Sequence, residues 1–235
     1  AYVEALWGVW RKDIELGRGT IFEFEVDFVR PPILGTDANV TNTIVDGAGN
    51  DRKVTHRELV LHMGDNALGR INYNTVDGDE DFELSGDQNT LVVNYRSGGD
   101  TFTETFYGID VVRASGGEGN DRIDARALSG VRVIFDGGAG NDTLYASENG
   151  GGSLGTLVDD DGDDILDADG AVQYLVNELT GGEGNDLLIG GEARDLILGG
   201  EGDDFIQGNG DNDQLFGQAG KDTVEAGLGN DVLSG

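Results

Sequence analysis

Between Gly181 and Ser234 an aliphatic side chain returns at every ninth position: Leu188, Ile197, Ile206, Leu215, Val224 and Leu233. Two residues ahead of each stands an aspartate: Asp186, Asp195, Asp204, Asp213, Asp222 and Asp231. A period of nine is neither the 3.6-residue period of a helix nor the sustained alternation of a long strand. It divides into a six-residue turn closed by the aspartate and a three-residue strand. The middle side chain of such a triplet faces one way and its flanks the other, so the aliphatic residue packs inside. Two units return the chain to its start one strand spacing higher, about 4.8 Å. Asp186, Asp204 and Asp222 then stack on one edge, and Asp195, Asp213 and Asp231 on the other. The expected fold is all-β, a parallel β-roll or β-helix solenoid.

A looser version extends upstream. Gly116–Asp121, Gly137–Asp142 and Asp159–Asp164 have the same turn chemistry, each with its aliphatic two residues on: Ile123, Leu144 and Leu166. Turn starts at 116, 137, 159 and 181 give a period of 21 to 22 residues, longer than two nonapeptides. This spacing predicts wider coils over 36–180, with a metal-type turn on one edge and a plain return strand on the other. Asp121, Asp142, Asp164 and Asp186 would form one continuous column. Before residue 116 the signal fades. Asp46-Gly47-Ala48-Gly49-Asn50-Asp51 has turn chemistry but Lys53 at the inward position, and Asp77–Asp81 and Ser97–Asp100 fit less well. Leu59–Met63 and Leu91–Tyr95 read as strands of degenerate coils. Residues 1–35 differ: they hold Trp7 and Trp10, alternate Thr20, Phe22, Phe24, Val26 and Phe28 with acidic residues, and close on Pro31-Pro32. They form a cap or the tail of a preceding domain, followed by the wide-coil solenoid 36–180 and the regular roll 181–235.

Stacked aspartates give the site chemistry. Columns of carboxylates repel one another unless a cation lies between them, and an all-oxygen site of carboxylates and carbonyls with flexible geometry suits Ca²⁺ better than Mg²⁺. A single Gly-Asp turn would say little. Six in register do not fit a polar linker, which gives no reason for the fixed aliphatic. Composition agrees: net charge is −31 and the pI about 4.1. Without metal that charge favours expansion, and with it the columns bind the coils together, so folding is coupled to metal. Nucleic acid is excluded as a partner, because phosphate contacts need clustered Lys and Arg. There is no cysteine, no signal peptide and no apolar run long enough to insert in a membrane. The chain opens at Ala1 and stops at Gly235 as a seventh unit begins, which reads as a piece of something longer.

The unit Gly181-Gly182-Glu183-Gly184-Asn185-Asp186-Leu187-Leu188-Ile189 fits GGxGxDxUx in full. On these residues the chain resembles the RTX (repeats-in-toxin) calcium-binding β-roll of secreted bacterial proteins. The resemblance implies a right-handed parallel roll in which position-six carboxylates and the carbonyls of positions two and four hold the ions. Carried over, the metal residues are Asp121, Asp142, Asp164, Asp186, Asp195, Asp204, Asp213, Asp222 and Asp231. The carbonyl positions are Gly117, Gly119, Gly138, Gly140, Gly162, Gly182, Gly184, Gly191, Ala193, Gly200, Gly202, Asn209, Asp211, Gly220, Gly227 and Gly229. Ala193 and Asp211 depart from glycine at position four, and Asn209 and Gln218 at position two. Gln at a left-handed φ is costly, so the 217–222 turn is expected to bind more weakly. Counting same-edge neighbours predicts about seven ions. The resemblance further implies an extracellular or surface location, export through a type I channel, and folding outside the cell. The parent would be an adhesin, a surface-layer protein or a toxin. A protein or glycan partner is left open.

Enzyme motifs find little footing. Gly151-Gly152-Ser153-Leu154-Gly155 matches GxSxG, but His56 and His62 are the only histidines and both precede it. Neither forms HExxH. Tyr107-Gly108-Ile109-Asp110 faintly resembles the catalytic motif of alginate C5-epimerases, with Val111-Val112 where Pro-His should follow. The rival to a non-enzymatic module is a polysaccharide-modifying β-helix over 36–180 bearing an RTX appendage. A cluster of Arg52, Lys53, His56 and Arg57 on one face would favour it. One further expectation concerns the outer faces of the early regular coils. Leu187, Ile189, Leu196 and Leu198 point outward there, so those faces should be covered by residues 1–35 or by a partner.

Overall fold

The structure is a computed structural model that describes residues 34–46, 48–64, 77–97, 100–147 and 176–235, together with three strands within residues 1–32. Those three strands, β1 (Val3–Leu6), β2 (Val9–Glu15) and β3 (Ile21–Asp27), form an antiparallel sheet of their own in a separate compact unit, Ala1–Pro32. The alternating stretch predicted near residues 20–28 is its third strand.

The second unit is all-β, with two eight-stranded sheets around one apolar core. The first sheet stacks β9 (Val111–Glu118), β11 (Arg132–Ala139), β13 (Asn177–Glu183), β15 (Asp195–Glu201), β17 (Gln214–Ala219) and β19 (Val232–Ser234) in parallel. The second stacks β10 (Arg122–Ser129), β12 (Thr143–Tyr145), β14 (Leu187–Ile189), β16 (Phe205–Asn209) and β18 (Thr223–Gly227). The chain alternates between sheets, one strand each per coil. Register aligns the inward residues: Leu179, Ile197, Leu215 and Leu233 in one sheet, and Ile123, Leu144, Leu188, Ile206 and Val224 in the other. Ile123, Leu144, Leu179, Leu188, Ile197, Ile206 and Leu215 are fully buried, each contributing roughly 1.5–3 kcal/mol of hydrophobic stabilisation. Leu233, on the last rung with a neighbour on one side only, is 49% exposed.

Three expectations change. First, the column does not pass through Asp164. Tyr145 pairs with Ile189 and Asp136 with Thr180, so the Gly137 turn lies directly beneath the Gly181 turn. Asp159–Asp164, Gly162 included, lies outside the described residues, as does the GxSxG stretch, and there is no rung for it between Asp142 and Asp186. The Asp142 and Asp186 rungs meet directly, the Asp142 N–H donating to Asp186 Oδ1 at 2.7 Å. Position one is tightly enclosed there: a Cβ on Gly137 would sit 2.3 Å from Asp142 Oδ2 and 2.5 Å from the carbonyl oxygen of Gly181.

Second, residues 35–106 are largely antiparallel instead of coiled. β4 (Gly35–Val45) and β5 (Asp51–Leu61) form a hairpin at the end of the first sheet. β6 (Asp81–Asp87), β7 (Leu91–Ser97) and β8 (Asp100–Phe106) form a meander at the end of the second. β5 and β6 keep parallel pairing with β9 and β10, so they are the first rung of the solenoid. The Asp46 turn is the hairpin tip: its Oδ1 accepts the N–H groups of Ala48 and Asn50, and Arg52 pairs with Oδ2 at 3.0 Å. A solenoid end needs closure, and here the antiparallel strands supply it with Leu59, Leu61, Phe82, Leu91, Val93 and Tyr95, all buried. Phe82 and Tyr95 pack with tilted rings, centroids 4.9 Å apart.

Third, Leu187, Ile189, Leu196 and Leu198 are half-buried, neither sealed nor fully exposed, whereas Thr223 and Glu225 are exposed.

Candidate metal centre

Six-residue turns join the sheets along two edges. The first edge carries the turns at 116–121, 137–142, 181–186, 199–204 and 217–222, and the second those at 190–195, 208–213 and 226–231. Position-six aspartates stack on both. On the first edge the N–H of Asp121 donates to Oδ1 of Asp142 at 2.8 Å, Asp142 to Asp186 at 2.7 Å, Asp186 to Asp204 at 2.9 Å and Asp204 to Asp222 at 3.1 Å. On the second, Asp195 donates to Asp213 at 2.9 Å and Asp213 to Asp231 at 3.0 Å. Each carboxylate thus spends one oxygen on the rung before it.

The other oxygen turns back over its own turn. Built on Gly181, a Cβ would lie 2.2 Å from Asp186 Oδ2. This closeness favours glycine at position one, and of these turns only the last, 226–231, has a side chain there, Ala226. Position four approaches the neighbouring rung: a Cβ on Gly184 would lie 1.6 Å from the carbonyl oxygen of Gly140. Position five forms a second ladder running the opposite way. The Oδ1 of Asn120 accepts the N–H of Asn141, Asn141 accepts that of Asn185, and Asn185 that of Asp203.

The fit to a cation rests on orphaned oxygens. Oδ2 of Asp121, Asp142, Asp186, Asp204 and Asp213 is buried without a hydrogen-bond partner, and these side chains are 1–3% exposed. Stranding a buried carboxylate oxygen is expensive unless a charge meets it. The cost shows as proton affinity. Burial, reinforced by neighbouring carboxylates, pushes Asp121 up to about 7, Asp186 to about 6 and Asp213 to about 7. Burial likewise raises Asp142 and Asp204. Among the described residues no three acidic or histidine side chains converge closely enough to hold a metal alone. A site here must be completed by carbonyl oxygens, and that mixed set suits a hard cation such as Ca²⁺.

A family model for the RTX calcium-binding nonapeptide repeat matches four times, over residues 113–127, 134–150, 176–206 and 198–233. The chain carries RTX calcium-binding repeats. No curated protein and no solved structure matches the chain. RTX repeats bind calcium, so the matched stretches within residues 113–147 and 176–233 form a calcium-binding β-roll of the kind typical of secreted or surface bacterial proteins.

The RTX turns are not alike. The position-two and position-four glycines of the first edge, Gly117, Gly119, Gly138, Gly140, Gly182, Gly184, Gly200, Gly202 and Gly220, all adopt positive φ, as do Gly227 and Gly229 of the last second-edge turn. Where side chains replace them, Asn209 (φ 76°), Asp211 (φ 64°) and Gln218 (φ 74°) hold the same conformation. Gly191 and Ala193 do not. In that turn the Gly191 N–H donates to Asp195 Oδ2 at 2.7 Å, and Asn177 Nδ2 donates to Asp195 Oδ1 at 2.9 Å. Asp195 is therefore satisfied by the protein, although burial still raises it to about 7.

Three participants stand outside the metal residues expected from the sequence. Asn177 holds position six of one more second-edge unit, nine residues before Asp186 and two before the buried Leu179; extending the period backwards finds it. Glu80 aligns with Asp121 on the first rung, through the pairing of Asp81 with Arg122, and donates its N–H to Asp121 Oδ1 at 2.8 Å. Asp77 lies beside it. The sequence shows Asp77–Asp81 only as a poor turn because no Gly-Gly precedes it.

Proposed function

We propose that the chain is a calcium-gated structural and interaction module of a larger secreted or surface-attached bacterial protein, of the adhesin, surface-layer or toxin kind. It travels unfolded through a type I export channel and folds on meeting extracellular calcium. The single observation that supports this is the line of buried, unpartnered aspartate oxygens along the first edge. A roll with that line is unstable without a cation and cohesive with one. Extracellular calcium modules work at Kd of about 10⁻⁴–10⁻³ M, so the cytosol leaves such a chain open and the exterior closes it.

The module is read as non-enzymatic. A polysaccharide-modifying activity would have gained from a basic cluster on one face of β5. Residues of a strand alternate between faces, which puts Arg52 and His56 on one face and Lys53 and Arg57 on the other. Arg52 pairs with Asp46, and Arg57 with Asp37. Far-UV circular dichroism during a calcium titration, with magnesium as control, tests the gating. A cooperative gain of β signal with calcium alone is expected. Full β signal in EDTA would sink the reading.

A further inference from the structure

The first edge does not stop at Asp121. Beneath it lies a turn of different construction, made of Gly64 and then, after a twelve-residue insertion, Asp77-Gly78-Asp79-Glu80. Gly64 takes the place of position one: a Cβ on it would meet the carbonyl oxygen of Gly116 at 2.5 Å, as a Cβ on Gly116 would meet that of Gly137 at 2.3 Å. Gly78 sits under Gly119 as Gly119 sits under Gly140. Asp79 Oδ1 accepts the N–H of Asn120 at 2.8 Å, extending the position-five ladder. Glu80 replaces the position-six aspartate and closes the turn on itself, its Oε2 accepting the Gly64 N–H at 2.9 Å.

Position two, which would follow Gly64, lies outside the described residues. In regular turns the position-two carbonyl comes close to the next glycine up: the Gly117 oxygen lies 2.3 Å from a Cβ built on Gly138, and the Gly138 oxygen 2.0 Å from one on Gly182. The matching place above the interrupted turn, over Gly117, is filled by the Asp77 carboxylate, with Oδ2 at 2.6 Å and Oδ1 at 2.8 Å. Oδ2 accepts the N–H of Glu118 at 3.1 Å. Oδ1 is buried and unpartnered, as is Oδ2 of Asp121, whose side chain is 1% exposed.

We propose that Asp77 and Asp121, completed by backbone carbonyls of the 64/77–80 and 116–121 turns, hold an additional calcium ion at the start of the first edge. A side-chain carboxylate there takes over from a backbone carbonyl. The lower half of this site, Gly64 and Asp77–Glu80, lies outside the matched repeats, which begin at residue 113, while Asp121 lies within the first of them. The site's two carboxylates supply the ligand charge that a calcium ion needs. The site also ties the roll to the antiparallel strands that close its end.

The proposal rests on the reading that position-six aspartates bind calcium, and the test separates the two. Native mass spectrometry counts the calcium ions on the whole chain for wild type, Asp77→Ala and Asp142→Ala. Asp77→Ala is expected to carry one ion fewer and Asp142→Ala at least one fewer. An unchanged count for Asp77→Ala beside a reduced count for Asp142→Ala overturns the additional site and leaves the regular column standing. Unchanged counts for both overturn the column and the proposal together. If Asp77→Ala does not fold in calcium, Asp77→Asn keeps the acceptor for Glu118 and should weaken one ion at least tenfold; equal affinity for every ion again overturns the site.

Discussion

The two edges of the roll solve the same problem differently. On the first, Asp121, Asp142, Asp186 and Asp204 each keep one buried oxygen without a partner. On the second, the column begins with an amide. Asn177 and the Gly191 N–H satisfy both oxygens of Asp195, and Asp213 alone is left with an orphaned one. A carboxylate stack needs a cation only where its oxygens face nothing else. Replacing one rung with asparagine lets the protein terminate its own column, whereas Glu80 and Asp77 continue the acidic run to the end of the first edge.

The comparison breaks most visibly on removing calcium. The first edge should lose its hydrogen-exchange protection in EDTA, with strands β10 to β18 and β11 to β17 opening. The antiparallel strands β5 to β7, packed on Phe82, Tyr95 and Leu59, should keep the most. Uniform loss across both regions would mean that the closing strands have no stability of their own.

Asparagine substitution sharpens the contrast. Asp186→Asn removes the negative charge from a rung shared by Asp142 and Asp204. In saturating calcium it should cost about 3–5 kcal/mol, the range for stripping one partner from a buried ion pair. Asp195→Asn removes a carboxylate that the protein already satisfies and should cost about 1 kcal/mol, the scale of a hydrogen bond. Calcium-saturated denaturant melts give both numbers. Equal losses would show that the edges do not differ.

Acidity acts on the metal-free chain in a direction set by burial. Asp121, Asp186, Asp195 and Asp213 are raised from 3.8 to between about 6 and 7 in the fold. A carboxylate with a raised folded-state pKa favours the fold when protonated. That stability is complete below the unfolded value and is lost as pH rises through 6 to 7. In EDTA the melting temperature should therefore climb as pH falls from 8 to 5. Below about 4 it should turn down, because Asp124, although burial opposes it, is held low by Arg126 and Arg122. Calcium competes with those protons, so calcium affinity should run the other way across the same window. Thermal melts at stepped pH, with and without calcium, read both slopes. A flat EDTA profile would show that the aspartates are not strained by burial.

The regular roll was legible because nine residues fix both the inward aliphatic and the turn aspartate, and because parallel stacking repeats that relation without exception from Leu179 to Leu233. The closing strands were not. Leu59–Met63 and Leu91–Tyr95 have the alternation of any half-buried strand, and alternation does not say whether a neighbour runs parallel or antiparallel. Asp164 is a case of another kind. Spacing alone made 116, 137, 159 and 181 look equivalent, but spacing does not say which turns are neighbours in the stack, and the Asp142 rung pairs directly with that of Asp186. Asp77 showed only as part of a poor turn because its role is tertiary: its carboxylate stands over Gly117, where regular turns bring a backbone carbonyl.

The smallest effect concerns how each edge treats a non-glycine in the left-handed region. The second edge uses Asn209 and Asp211, residues whose short polar side chains visit that region at little penalty. The Asn209 side chain also donates to the Gly190 carbonyl at 2.9 Å. The first edge uses Gln218, in register with Gly200 beneath it, at φ 74°. An ordinary side chain there carries about 1–2 kcal/mol of strain, and glycine returns part of that gain as unfolded-state entropy. Gln218→Gly should thus stabilise the calcium-loaded roll by about 1 kcal/mol, while Asn209→Gly should be neutral or slightly destabilising because it also loses a hydrogen bond. The pair is read from calcium-saturated melts of the two variants against wild type. If both gain equally, the conformation itself is the burden and the asparagine contact contributes nothing; if Gln218→Gly gains nothing, the last first-edge turn is loose enough to relax its backbone.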